Sequence, residues 1–357
     1  MATPAASRPS KSAKGTPQSA VYNLQNPIVE KFEDHEIVPH CSPEFQKLLP
    51  TVFNVHQCSL IIRGINQGIA NAIRRAISCE LILKQLKMEE FVTNDRFLQR
   101  DLILKRIALI PINQSIHLGA RFELSAENPD KSIPLDIKSA ALVQSGSDTK
   151  TRQFNETFTL FTLAPKKSAK MNAIVVEAPQ SSTDPADTPP SVAFRGTAIP
   201  LDQRPIDQFA PNEKEPHLPY NDTAVYLKSS SLSFPHDFLI KFGTNGNIRT
   251  ADLLKMTLSS IVSRLERTAK LIPQTINTGE VSVLAIPNET NTIGGIIRCG
   301  IFTRYPDIDF ACDCDDTQTR AILIKILDKM PLEQQKVMIG EVLNDAITSL
   351  KKISEKI

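Results

Sequence analysis

The sequence predicts an α+β protein in which two related strand–helix–strand–helix units pack together as an intramolecular pseudo-dimer. An amphipathic helical pattern at residues 66–77 recurs, with its apolar positions in the same order, at residues 291–301. A short apolar run precedes each copy, and a second apolar run and a long helical pattern follow it. Because each unit would leave an apolar face uncovered, two units packed helix against helix would bury both faces.

Composition is that of an ordinary soluble globular protein. The chain has 357 residues, of which 41% are hydrophobic and 22% charged, and its net charge is +2. This size is enough for two or three domains, and the charge predicts no general attraction to nucleic acid or membrane. The sequence contains neither an apolar run long enough to span a membrane nor a secretory signal. Six cysteines without a C-x-x-C pair indicate an intracellular, reducing compartment.

Residues 1–50 are predicted to form a tail and an N-terminal extension that are disordered in part. The first 20 residues are small, polar and basic, so they cannot bury enough apolar surface to order themselves. The alternative is a basic arm that contacts nucleic acid or a partner protein.

The larger unit is predicted to be discontinuous, with residues 51–118 and 222–272 separated by a β-rich insert domain at 119–221. The insert has short alternating apolar runs divided by Pro-, Ser- and Asp-rich breaks, and its 179–191 stretch is predicted to be a mobile loop. Residues 273–280 form a linker, and residues 281–357 form the smaller unit. Each unit is expected to contain a sheet and long helices.

Apolar stripes on four helical segments define the expected interface between the units. Two stripes lie on the repeated short helices, and two lie on the long helices near 250–272 and 331–357. The interface residues are Ile69, Ile73, Ile77, Leu258, Leu265, Ile293, Ile297, Ile301, Leu343 and Ile347.

Charged residues on the other side of these helices have two interpretations. Arg74 and Arg75 follow Asn71 on the polar face of the first helix, and Arg298 takes the position of Arg74 in the repeat. They could be solvated, or they could bind a carboxylate or carbonyl of another protein, which the planar guanidinium favours. Residues 98–109 predict another amphipathic helix, whose charges, including Arg106, most simply form a solvated face.

An acidic and thiol-rich stretch is the strongest candidate for metal chemistry. Its residues are Asp307, Asp309, Cys312, Asp313, Cys314, Asp315 and Asp316. A strand could present such ligands to a divalent metal, but a Cys-x-Cys pair without a second Cys or His cluster is poor zinc spacing. The other interpretation is a strand that ends in an exposed acidic loop. No phosphate-binding loop, dinucleotide motif or catalytic triad is present, so we expect no catalysis by the chain itself.

Three stretches resemble the alpha-type assembly subunits of multisubunit RNA polymerases, namely the larger alpha-like subunit of the archaeal enzyme, the third-largest eukaryotic subunit and the bacterial alpha N-terminal domain. They are INQGIANAIRRAISCEL, FVTN, and FLQRDLILKRIALIPI at 97–112. The matching residues are Asn71, Arg74, Arg75, Asn94, Arg106, Ile110 and Pro111. Lys105 replaces the usual His, and Ile82 replaces a helix-ending Pro. The first helix could therefore continue past Glu80 or end without the Pro stop.

Residues 281–357 are similar to the small alpha-like partner of that subunit in the archaeal enzyme. The match covers Glu289 to Arg298 and then Pro306 to Ala311. Gly295 replaces the usual Asn, Asn291 replaces the usual His, and Cys-Asp-Cys-Asp-Asp replaces a His-Pro loop. Fusion of two such subunits in this order is a feature of RNA polymerases from some large DNA viruses.

The resemblance implies a non-catalytic platform that docks the two largest polymerase subunits for transcription. It implies large-subunit contacts at Asn71, Arg74, Arg75, Arg106 and Arg298, with small polymerase subunits as further partners. It implies no cofactor and no membrane, and contact with DNA or RNA only through the complex. A viral source would place the chain in host cytoplasm, a viral factory or the virion. The alternatives are a metal-dependent enzyme using Asp307 to Asp316 and a nucleic-acid-binding module using the basic tail.

Overall fold

A computed structural model describes residues 26–37, 55–145, 158–180, 189, 192–201, 236–244, 247–272, 283–315, 321–328 and 330–357. The predicted basic tail, most of the 179–191 loop, the apolar run before residue 236, the 273–280 linker and Asp316 lie outside these residues. Mixed helices and antiparallel sheets confirm the α+β class.

The described chain contains thirteen strands and five α-helices. The strands are β1 (Ile28–Ile37), β2 (Val55–Arg63), β3 (Ile82–Thr93), β4 (Arg121–Glu127), β5 (Leu135–Lys138), β6 (Val143–Gln144), β7 (Thr159–Leu163), β8 (Ser168–Pro179), β9 (Ala193–Pro200), β10 (Asp237–Thr244), β11 (Val283–Pro287), β12 (Phe310–Asp315) and β13 (Ala321–Ile326). The helices are α1 (Gln67–Cys79), α2 (Arg100–Ala108), α3 (Thr250–Leu271), α4 (Asn291–Arg304) and α5 (Leu332–Glu355).

The first sheet is antiparallel and has the strand order β1-β2-β10-β9. Its inner face is apolar because alternate residues of β2, such as Leu60 and Ile62, point to the same side and are fully buried. In this sheet Leu60 lies opposite Ile240 of β10. β1 pairs with β2 along its length, so part of the predicted N-terminal extension is an ordered edge strand.

The second sheet has the order β11-β13-β12 and is also antiparallel. When the edge strand β1 is left out, the second sheet repeats the connections of the first: an outer strand, a helix, the opposite outer strand, the central strand and a long helix. The corresponding series are β2, α1, β9, β10, α3 and β11, α4, β12, β13, α5. The two sheets therefore share one topology, apart from β1 and the residues between α1 and β9.

Helices from the two sheets pack together over one hydrophobic core. α1 packs on α4, α3 packs on α5, and each short helix also packs on the long helix of its own sheet. All ten expected interface residues are buried in this core, together with the apolar faces of both sheets. Burying each such large apolar side chain contributes about 1.5–3 kcal/mol.

A second core lies between α1 and β9 in the chain. It contains the sheet β3-β8-β4-β6, the pair β5-β7 and α2. Its limits differ from the predicted 119–221, because β3 and α2 bury apolar residues here, whereas β9 pairs with β10 in the first sheet. β3 connects the two cores, since Leu83 lies in the first and Leu86 in the second. α1 ends at Cys79 without a Pro stop, and Glu80 caps it.

Candidate functional site

α1 and α4 approach each other closely at a pair of glycines. A Cβ atom added to Gly68 would lie 2.5 Å from the carbonyl oxygen of Gly295 and 2.9 Å from Cβ of Cys299. Both distances are below ordinary van der Waals contact, so only glycine fits at position 68. The two helices therefore meet almost backbone to backbone at the centre of the interface.

A buried ion-pair network lies beside this crossing. Glu289, in the loop before α4, has a side chain that is only 1% exposed. Its carboxylate accepts hydrogen bonds from Arg264 at 2.8 Å and from Arg267 at 2.6 Å, both on α3. Because buried charges require partners, these bonds fix α3 of the first unit against the start of the second.

Glu80 extends the network to the end of α1. Its carboxylate accepts hydrogen bonds from Arg264 and from the hydroxyl of Thr292. Nε of Arg75 donates to that hydroxyl oxygen at 3.0 Å. Burial acts to lower the pKa of Arg264, but attraction to Glu289 and bonding to both carboxylates outweigh it, and the pKa is raised. Arg264 therefore stays charged. Its bond to Glu80 joins α3 to the end of α1 within the first unit, whereas its bond to Glu289 and the bonds of Thr292 to Glu80 and Arg75 join the two units.

A small cleft opens between α1 and α4 on the surface side of the glycine crossing. It encloses about 100 Å³ and is lined by Gln67, Gly68, Asn71, Ala72, Arg75, Asn291, Thr292, Gly295, Arg298 and Cys299. Four pairs of these residues occupy the same relative positions on the two helices, so the units contribute to the cleft almost equally. None of the lining residues is acidic, and two are arginines. We call this feature the inter-helix cleft.

The five expected large-subunit contacts fall into two groups. Asn71, Arg75 and Arg298 line the inter-helix cleft, and Arg74 lies beside it, with Nε donating to Oδ1 of Asn71 at 2.8 Å. Arg106 instead lies on α2 in the second core, where Nη1 donates to the carbonyl of Leu160 at 2.9 Å. Arg75 also differs from expectation, because its guanidinium bonds within the chain and bridges the two units.

The acidic and thiol-rich stretch does not present its side chains on one face. On β12 the thiols of Cys312 and Cys314 lie 3.7 Å from carbonyl oxygens of Gly294 and Glu289, whereas Asp313 is exposed. Burial raises the pKa of the Cys312 thiol to about 11, which disfavours the thiolate that a metal needs. Among the residues that the structure describes, no three His, Cys, Asp or Glu side chains form a metal-binding group. The side chain of Asp315 and all of Asp316 lie outside that set.

Apart from Arg75, the residues of the ion-pair network were not predicted as a site. Glu80 and Arg264 belong to no recognisable motif. The two carboxylates that bind Arg264 are 184 and 25 residues away from it in the sequence. One available signal was Glu289, which directly precedes the helix N-cap Thr290. An acidic side chain that is buried at such a position needs a cation as its partner.

No protein-family model matches this chain, and no curated protein matches it. None of the helices in its described part has the length and apolar character needed to cross a membrane. The arrangement offers hydrogen-bond donors for an anionic or carbonyl group at the inter-helix cleft, beside the close contact of α1 with α4.

Proposed function

We propose that this chain is a non-catalytic assembly platform of a multisubunit DNA-dependent RNA polymerase. In this proposal two alpha-like dimerisation domains form an intramolecular pseudo-dimer, and the second core is the insert domain of the larger one. The observation that carries the proposal is the repeated topology: sheets of order β2-β10-β9 and β11-β13-β12, packed through equivalent helices over one core. Such symmetry suits a platform that offers two related surfaces to two related partners.

Covalent linkage of the two units supports a scaffolding role. Linking two modules by a short flexible segment raises their effective concentration to about millimolar. The glycine crossing and the ion-pair network then hold the units in a single arrangement. Such a platform would contain both units in a single chain and would therefore be assembled before the large subunits bind.

The inter-helix cleft is the proposed contact with a large subunit. Arg298 is exposed, and none of the described residues hydrogen-bonds to its guanidinium. Arg74 and the amide of Asn71 lie close to the same surface. Arginine binds carboxylates in a bidentate geometry, so an acidic side chain or a helix C-terminus of the large subunit would fit this surface. Arg75 would act within the platform instead, as a link between the units.

Affinity capture of the tagged chain tests the proposal. We expect the two largest polymerase subunits to co-purify with it in equal amounts. Replacing Arg298→Glu should weaken their capture by about tenfold, which corresponds to about 1.4 kcal/mol, and should leave the fold unchanged. Arg249→Glu is the matched control, because Arg249 is almost fully exposed and distant in sequence from the cleft.

Two results would contradict the proposed role and the proposed contact, respectively. Capture without any polymerase subunit would remove the polymerase role. Equal capture by the Arg298 and Arg249 variants would leave the role intact but would place the contact away from the cleft.

A further inference from the structure

α2 carries apolar residues on two opposite faces. Ile103 and Ile107 point into the second core and are buried. Leu102, and Leu109 at the C-cap directly after the helix, lie seven residues apart on the other side, and they are 48% and 56% exposed. A helix on a protein surface needs one apolar face in order to pack. The second apolar face is therefore not explained by folding.

The turn before α2 holds an aromatic ring in solvent. Phe97 is 88% exposed. Its backbone N–H donates to Oδ1 of Asp95 at 3.0 Å, and the N–H of Ala164 donates to Oδ2 of the same carboxylate at 2.9 Å. Asp95 is buried, so this turn is fixed to the second core. The exposure of Phe97 is a built feature of the surface.

Four cations belong to the same segment as these exposed apolar groups. Arg96, Arg100, Lys105 and Arg106 are exposed, and Asp101 is the one exposed acidic residue from 96 to 109. Within the described part of the chain, the charged groups of Arg96, Arg100 and Lys105 form no ion pair. We define the outer α2 surface as Arg96, Phe97, Arg100, Leu102, Lys105, Arg106 and Leu109.

We propose that the outer α2 surface binds an acidic protein segment that carries aliphatic side chains at helical spacing. Leu102 and Leu109 are two helical turns apart, which matches the spacing of anchors on an amphipathic partner helix. The four cations complement acidic residues beside those anchors. A single-stranded nucleic acid fits this surface less well, because such ligands stack their bases on several aromatic rings and only one is present. This inference concerns the second core and does not depend on the polymerase role.

Fluorescence anisotropy with the full chain tests this binding. The probe is a labelled amphipathic helix of about 18 residues, or five turns, with leucines on one face and glutamates elsewhere. It should bind more weakly as salt is added, because the surface charges are screened. Replacing Leu102→Gln together with Leu109→Gln should weaken binding about tenfold, which corresponds to about 1.4 kcal/mol.

Matched controls separate binding at this surface from nonspecific apolar binding and from general attraction by charge. Leu323→Gln with Leu327→Gln changes two comparably exposed leucines in the second sheet region and should leave binding unchanged. Lys105→Glu should weaken binding, whereas Lys255→Glu, at an exposed position on α3, should not.

Three outcomes would overturn the proposal. One is equal binding by the Leu102/Leu109 variant and the Leu323/Leu327 control. Another is equal binding of a probe whose leucines are replaced by alanine, which would mean attraction by charge alone. The third is binding of an oligothymidine but not of the peptide, which would assign the surface to nucleic acid.

Discussion

Arg264 links three elements of the molecule through one side chain. It lies on α3, bonds to Glu80 at the end of α1 and bonds to Glu289 before α4. Both carboxylates are almost completely buried, so their charges depend on cations that lie in the same network. Removing one partner of a buried pair leaves the other charge uncompensated, which costs far more than the loss of a surface pair.

At this scale we predict that Arg264→Ala lowers the free energy of unfolding by about 3–5 kcal/mol. Arg267→Ala is the control, because that side chain is 58% exposed and Glu289 keeps its bond to Arg264, so the loss should be about 1 kcal/mol or less. Urea denaturation of both variants measures the difference. Similar losses in the two variants would show that the network does not hold the units together.

The contacts of individual side chains were the least predictable part of the molecule. The helical pattern places Arg75 opposite the apolar stripe, so the sequence predicts that its side chain points outward. Its partner Thr292 is 217 residues away, so local sequence carries no sign of that bond. Asn71, Arg74 and Arg298 do lie on one surface, since a helical repeat fixes the faces of the two helices.

Helices and strands were predictable where apolar residues recur at a clear spacing and one face of the element is buried. Each of the five helices overlaps a segment whose apolar residues recur at helical spacing, although α1 and α4 continue past the predicted 66–77 and 291–301 patterns to Cys79 and Arg304. β1 and β3 were not predicted as strands. β1 is an edge strand rich in charged residues, and β3 buries residues of both its faces in two different cores, so neither shows simple alternation.

The glycine crossing gives a prediction at the scale of the helix pair. Gly68→Ala places a methyl group 2.5 Å from the carbonyl oxygen of Gly295, so α1 and α4 must separate, and overpacking of this kind costs about 1–3 kcal/mol. Gly295→Ala meets no atom within 4 Å, and the better helix propensity of alanine should stabilise by up to about 1 kcal/mol. Thermal melting compares the two variants. Stabilisation by both would mean that the helices are not in close contact.

In the whole molecule, the repeated helical pattern is visible in the sequence, whereas the boundary between the two cores is not. The residues of each apolar stripe are close in sequence, so the helices that carry the stripes and pack over the first core could be predicted. The limits of the second core depend on strand pairing over long distances: β3 pairs with β8, and β9 pairs with β10. Residues of similar composition therefore enter different sheets, and composition alone could not separate them.

Co-expression of the two units as separate chains tests the shared core most directly. Residues 1–280 and 281–357 would be produced together as two chains, divided within the predicted linker, and their mass measured after purification through a tag on one of them. We predict a stable one-to-one complex, and we predict that Ile297→Asp in the shorter chain abolishes it, because an unpaired charge would enter the core. Two folded chains that purify independently of each other would contradict the account.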